Sequence, residues 1–143
     1  MRLLLAVLTL FVLAALPVAA KEQKFVAQEN GQITFTMPSG NVGCIYTPKG
    51  GTDIYAPKDG GPELSCDRIA PKYVNITLGP KGPAVLTENP GEQACCSGDN
   101  VFAYGNTVTF DGFICSSSSA GLICETPDKQ HGLCLSRTRT LHY

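Results

Sequence analysis

Seven cysteines, Cys44, Cys66, Cys95, Cys96, Cys115, Cys124 and Cys134, offer the most chemistry in this chain. Thiols pair, ligate metal or attack carbon, and the surrounding sequence favours pairing. Cys115 and Cys124 flank the Ser116 to Gly121 connection between two short apolar runs, so a cross-hairpin bridge is within disulfide reach. Cys44 and Cys66 bracket a stretch rich in glycine and proline, where a cross-link most restricts the unfolded chain. A third bridge is expected between Cys134 and one of the vicinal pair, taken as Cys96. Seven is odd, so the remaining thiol is free or pairs with another chain; a vicinal Cys95–Cys96 bridge is the alternative.

Cys124, His131 and Cys134 have a superficial zinc-ligand look, with His131 and Cys134 three apart. No Cys-x-x-Cys spacing occurs, and oxidation competes with ligation in an exported chain, so no metal and no cofactor is expected. Ser136, or a member of Ser116 to Ser119, can be drawn into a triad with His131 and Asp99 or Asp111. There is no G-x-S-x-G elbow, the serine run reads as a solvated turn, and His131 before Gly132 reads as a turn residue. No residue is therefore assigned as catalytic. The better candidates for a binding surface are His131, Ser136, Arg137 and Arg139. On a strand the two arginines would share one face and Ser136 the other. Paired guanidiniums grip a carboxylate or phosphate, unless they are neutralised by local acids such as Glu125 or Asp128.

These residues need elements to hold them. Ile33, Phe35 and Met37 alternate with polar residues, Pro38-Ser39-Gly40-Asn41 is a turn, and Val42, Cys44 and Tyr46 alternate again, which predicts a hairpin. Residues 47–63 read as a loop, and 73–78 as a strand containing the sequon Asn75-Ile76-Thr77. Asp111-Gly112 between two alternating runs predicts a two-residue hairpin turn, and residues 122–126 and 132–136 follow as strands. No segment carries a helical period. The expected fold class is all-β: a small disulfide-stapled barrel or sandwich of about eight short strands.

Residues 1–20 read as a cleaved signal peptide: Arg2, an apolar run from Leu3 to Leu16 broken only by Thr9, then small residues at Val18-Ala19-Ala20. Residues 21–31 form a flexible leader and 32–143 a single domain. The product is periplasmic or secreted, without a lipid-anchor cysteine and with no membrane span after cleavage. The chain carries a net charge of −1, and −2 once Arg2 is removed. Such a balance argues against nucleic acid as a partner.

The ordered set Pro38-Ser39-Gly40-Asn41-Val42-Gly43-Cys44, Tyr104-Gly105, Cys115…Gly121-Leu122-Ile123-Cys124 and His131-Gly132…Leu135-Ser136-Arg137 resembles an uncharacterised family of small exported bacterial proteins, known as a domain of unknown function. The resemblance runs from Phe35 to Tyr143. It implies an exported bacterial protein and brings no activity with it. Two departures stand out. Cys134 occupies a position where the family carries an apolar or aromatic residue, and Cys95-Cys96 stands where one cysteine is usual, as if the two extra thiols formed the third bridge together. The function expected is an exported binding or interaction module, its partner a protein or envelope component, a hydrolase inhibitor being one form. A small secreted hydrolase using His131 and a serine is the alternative.

Overall fold

In the computed structural model, residues 19–91, 98 and 100–143 are described. Residues 1–18 of the expected signal peptide, the Cys95–Cys96 pair and Asp99 lie outside them. Alternating side chains build most of the strands: β1 Lys21–Glu22, β2 Ile33–Thr36, β3 Val42–Thr47, β4 Glu63–Arg68, β5 Val74–Leu78, β6 Val85–Glu88, β7 Asn100–Val101, β8 Asn106–Phe110, β9 Phe113–Ser118, β10 Gly121–Glu125, β11 Gly132–Leu135 and β12 Thr140–His142. No helix occurs among the described residues. The strands form two mixed six-stranded sheets, ordered β1-β8-β9-β10-β11-β12 and β6-β5-β4-β3-β2-β7. The all-β class is as expected. The architecture is a sandwich and not a closed barrel, and its extra strands include the two-residue β1 and β7, too short to show a period.

The two sheets face each other across one core. Phe35 and Tyr46 from one sheet stack on Phe110 from the other, with ring centroids 5.7 Å and 4.8 Å apart. Such aromatic pairs add to the burial of apolar area. The segment expected to be a flexible leader is docked instead. β1 runs parallel to β8, and Phe25 stacks on Phe35 at 5.1 Å and meets Phe102 edge-on at 5.5 Å. At one side of the sandwich the Ala84 N–H donates to Tyr143 O, and His142 Nδ1 lies 3.1 Å from Ala84 O, tying β12 to the segment before β6.

Both expected hairpin bridges are present. Cys44–Cys66 joins β3 to β4, and Cys115–Cys124 joins β9 to β10; each links directly opposed, core-facing residues with Cα atoms 4.1 Å apart. Cys134 corrects the expectation of a third bridge: it is a buried free thiol. Alternation along β11 turns Leu133 and Leu135 into the core. Cys134 is thereby turned to the outer face, between Ile123 and Leu141 in the register. Two such disulfides at the heart of the core fit an oxidising, non-cytoplasmic environment. Among the described residues, no helix is long and apolar enough to cross a membrane.

Candidate binding site

Antiparallel strands collect their turns at the two ends of a sandwich, where a rigid scaffold can present side chains from distant parts of the chain. At one end here the β2–β3 turn, the β7–β8 connection, the β9–β10 turn and the β11–β12 turn converge on a cavity of about 170 Å³. Met37, Val42 and Leu135, all buried, contribute apolar surface to it. Ser39, Asn41, Tyr104, Ser118, Ser119, Ser136 and Arg137 supply the polar lining. A more open shelf of about 510 Å³, lined by Ser119, Ala120, Ser136, Arg137, Thr138 and Arg139, adjoins it. Ser119, Ser136 and Arg137 belong to both.

Each wall is held for an identifiable reason. Gly40 takes φ 69° in the β2–β3 turn, which is closed by Met37 N–H donating to Val42 O at 2.8 Å. Asn41 then fastens this turn to the β4–β5 connection. Its Nδ2 donates to Ala70 O at 2.9 Å, and its Oδ1 accepts from Ala70 N–H at 2.8 Å. Tyr104 is set by Ser117, whose buried hydroxyl donates to Phe102 O at 3.0 Å while its carbonyl accepts from Gly105 N–H at 2.8 Å. Ser117 and its neighbours Ser116 and Ser118 are strand residues of β9, so the serine run expected as a solvated turn reduces to Ser119 and Ala120. In the β9–β10 turn, Gly121 has φ 136°, and a β-carbon there would lie 2.6 Å from Leu135 O and 2.8 Å from Ser136 Cβ. Only glycine lets this turn close against the β11–β12 turn.

The β11–β12 turn carries the arginines. Ser136 N–H donates to Arg139 O at 2.9 Å and Thr138 N–H to Ser136 Oγ at 3.3 Å, so residues 136–139 form a tight turn, and the strand expected over 132–136 ends at Leu135. Arg137 and Arg139 are exposed there, and neither makes an ion pair with any described residue. Glu125 and Asp128, the acids considered as their partners, belong to the opposite end. Glu125 accepts from the Tyr143 hydroxyl at 2.7 Å, and Asp128 accepts from the Thr126 hydroxyl at 2.6 Å. The Thr126 hydroxyl, joined by Gln130 N–H, holds the Asp128 carboxyl below its usual range.

Arg68 is a site residue that the sequence reading missed. At 6% exposure it reaches from β4 under the β11–β12 turn, with Nη1 donating to Ser136 O at 3.1 Å and to Thr140 Oγ1 at 2.6 Å. Nε and Nη2 donate to Lys72 O at 3.3 and 3.2 Å. The signal was available: Arg68 follows Leu64 and Cys66 at period two, a charge on a face that otherwise points into the core. Every arginine after Arg2 (Arg68, Arg137 and Arg139) is thus at this end.

His131 does not join the other three candidates. It closes the β10–β11 turn through its backbone, donating N–H to Thr126 Oγ1 at 3.2 Å and accepting from Thr126 N–H at 2.9 Å. Ser136 is at the other end of β11, roughly 16 Å away along an extended strand. Asp111 shares the His131 end of its sheet, while Ser118, Ser119 and Ser136 share the arginine end. Ser118, Ser119 and Ser136 are therefore not placed to complete a triad with His131. Cys124 is bonded to Cys115 on the inner face and Cys134 points outward, so those two do not converge with His131 on a metal. The sequon residue Asn75 has its amide engaged, donating to Ser65 Oγ at 2.9 Å and Asp67 Oδ1 at 3.1 Å.

No family model matches this chain. No curated protein and no solved structure matches it either.

Proposed function

We propose that this protein is an exported binding module and that the arginine end of the sandwich is its contact surface. Cleavage after Ala20 would release it to the periplasm or the exterior, in keeping with its core disulfides and with the resemblance to small exported bacterial proteins. The observation that carries the reading is convergence. Turns from both sheets, beginning with Ser39 and ending with Arg139, meet at one cavity and its adjoining shelf, and the two exposed arginines there have no acid partner among the described residues. Structural arginines are normally neutralised or hydrogen-bonded; exposed and unpaired ones beside an apolar hollow suit recognition. The cavity holds about 170 Å³ and opens onto the shelf of about 510 Å³. It suits one group projecting from a larger protein or envelope component.

The test is retention of the purified protein on envelope material from the producing cells. Wild type and His131→Ala are expected to be retained alike, and a Tyr104→Ala/Arg137→Gln double variant to lose retention by at least about tenfold, as loss of a charged contact does. Equal retention of the double variant, or loss on His131→Ala, would overturn the reading.

A further inference from the structure

We propose that the arginine end recognises a carboxylate attached to one small apolar group, the chemistry of a peptide's C-terminal residue. This rests on the reading of that end as the contact surface and adds the ligand class. Two features fix the class. The hollow has Met37, Val42 and Leu135 at its buried floor beneath a polar rim that includes Ser39, Asn41 and Tyr104, and it has room for about one side chain, so the group that fills it is small with an apolar tip. Arg137 belongs both to the hollow and to the shelf that Arg139 also lines, so the anion must lie next to that apolar group. A carboxylate matches a guanidinium fork with two parallel hydrogen bonds. A C-terminal residue carries its carboxylate one carbon from the root of its side chain, which meets both requirements at once. Free phosphate would satisfy the arginines and leave the apolar surface uncovered.

The local charge supports an anion. Arg68 is buried beneath the same turn and donates only to neutral acceptors, so its positive charge is not cancelled by a paired carboxylate. Asp59, Asp111, Glu125 and Asp128 belong to the far end of the sandwich, while at the arginine end Asp67 is buried and accepts from Asn75, and Glu88 is paired with Lys72. A carboxylate approaching the arginine end therefore meets a positive surface on a chain whose net charge is negative.

The probe is N-acetyl-glycyl-valine as the free acid, compared with its C-terminal amide and with inorganic phosphate at matched ionic strength, read by amide chemical-shift changes in the intact protein. The free acid is expected to bind saturably with shifts at residues 119–121 and 136–139. The amide, and the free acid against Arg137→Gln, should be at least about tenfold weaker. Equal binding of acid and amide, no shifts at those residues, or shifts with phosphate but not with the free acid would overturn the proposal. If the dipeptide is silent while Arg137→Gln still abolishes envelope retention, the ligand class fails and the contact surface stands. If retention also survives that substitution, the contact surface falls with it.

Discussion

Arg68 donates four hydrogen bonds, all to neutral acceptors on the β4–β5 connection and the β11–β12 hairpin. A buried cation without a carboxylate is stabilising only while those acceptors stay in place, because its desolvation is offset by nothing else. Arg68→Ala leaves Ser136 O and Lys72 O short of a donor. It should cost about 2–4 kcal/mol in denaturant unfolding, against no more than about 0.5 kcal/mol for exposed Arg139→Ala. Tyr55 gives a prediction of the opposite kind, at the far end of the molecule. Its hydroxyl donates to Glu63 Oε1 at 2.6 Å, and that bond, with burial adding to it, pushes its pKa up to about 12. The folded state holds this proton more tightly than the unfolded one. Its contribution to stability is therefore intact below the ordinary tyrosine pKa of about 10 and is lost as the pH rises through about 12. Titration of tyrosinate absorbance should show a late-ionising tyrosine that moves to lower pH in Glu63→Gln.

Elements explain which walls of the site are rigid. The Cys44–Cys66 bridge spans 22 residues and Cys115–Cys124 spans 9. On the chain-entropy account these are worth about 3.4 and 2.6 kcal/mol, so the paired Cys44→Ala/Cys66→Ala variant should be the less stable of the two double variants by about 0.8 kcal/mol. Equal losses would mean that packing, not loop closure, governs the bridges. Gly121 is the hinge of the site in a structural sense, since its φ of 136° and the absence of a β-carbon let two turns touch. Gly121→Ala should lower stability by about 2 kcal/mol or more and open the cavity, measurable as a fall in unfolding midpoint. The hairpins and both bridges were legible in the sequence because side-chain alternation and turn residues are local signals. β3, β5 and β8 follow them closely. The serine run was misread because strand residues on an outer face are themselves polar. Ser116 and Ser118 alternate with buried Ser117, a pattern that composition alone assigns to a turn. Ser136 is the reverse case: the strand expected to include it stops at Leu135, with no glycine or proline to announce the turn that follows.

For the whole molecule, the register decides what can work together. A sandwich places His131 and Ser136 at opposite ends of β11, although five positions in the sequence separate them, and brings Ser39 and Arg137 to one cavity across almost a hundred. Such closeness is a property of topology and is invisible to local spacing, which is why the sequence grouped His131 with Ser136, Arg137 and Arg139 although it lies at the other end of β11. The docked leader has the same origin. Nothing local in residues 21–31 marks order, yet Phe25 finds the Phe35, Phe102 and Phe110 rings, and Gln23 Oε1 accepts from Ala103 N–H at 3.1 Å. The leader thereby braces the segment that presents Tyr104. Replacing Phe25 with alanine should cost about 2–4 kcal/mol in unfolding free energy if that docking holds, and almost nothing if the segment is loose. The central claim is that the arginine end meets the partner, and hydrogen–deuterium exchange with and without envelope material tests it most directly. Slowed exchange confined to residues 37–41, 104–105, 118–121 and 136–139 is the result predicted. Protection centred instead on the turns at Asp111 and His131, with those segments unchanged, would contradict it.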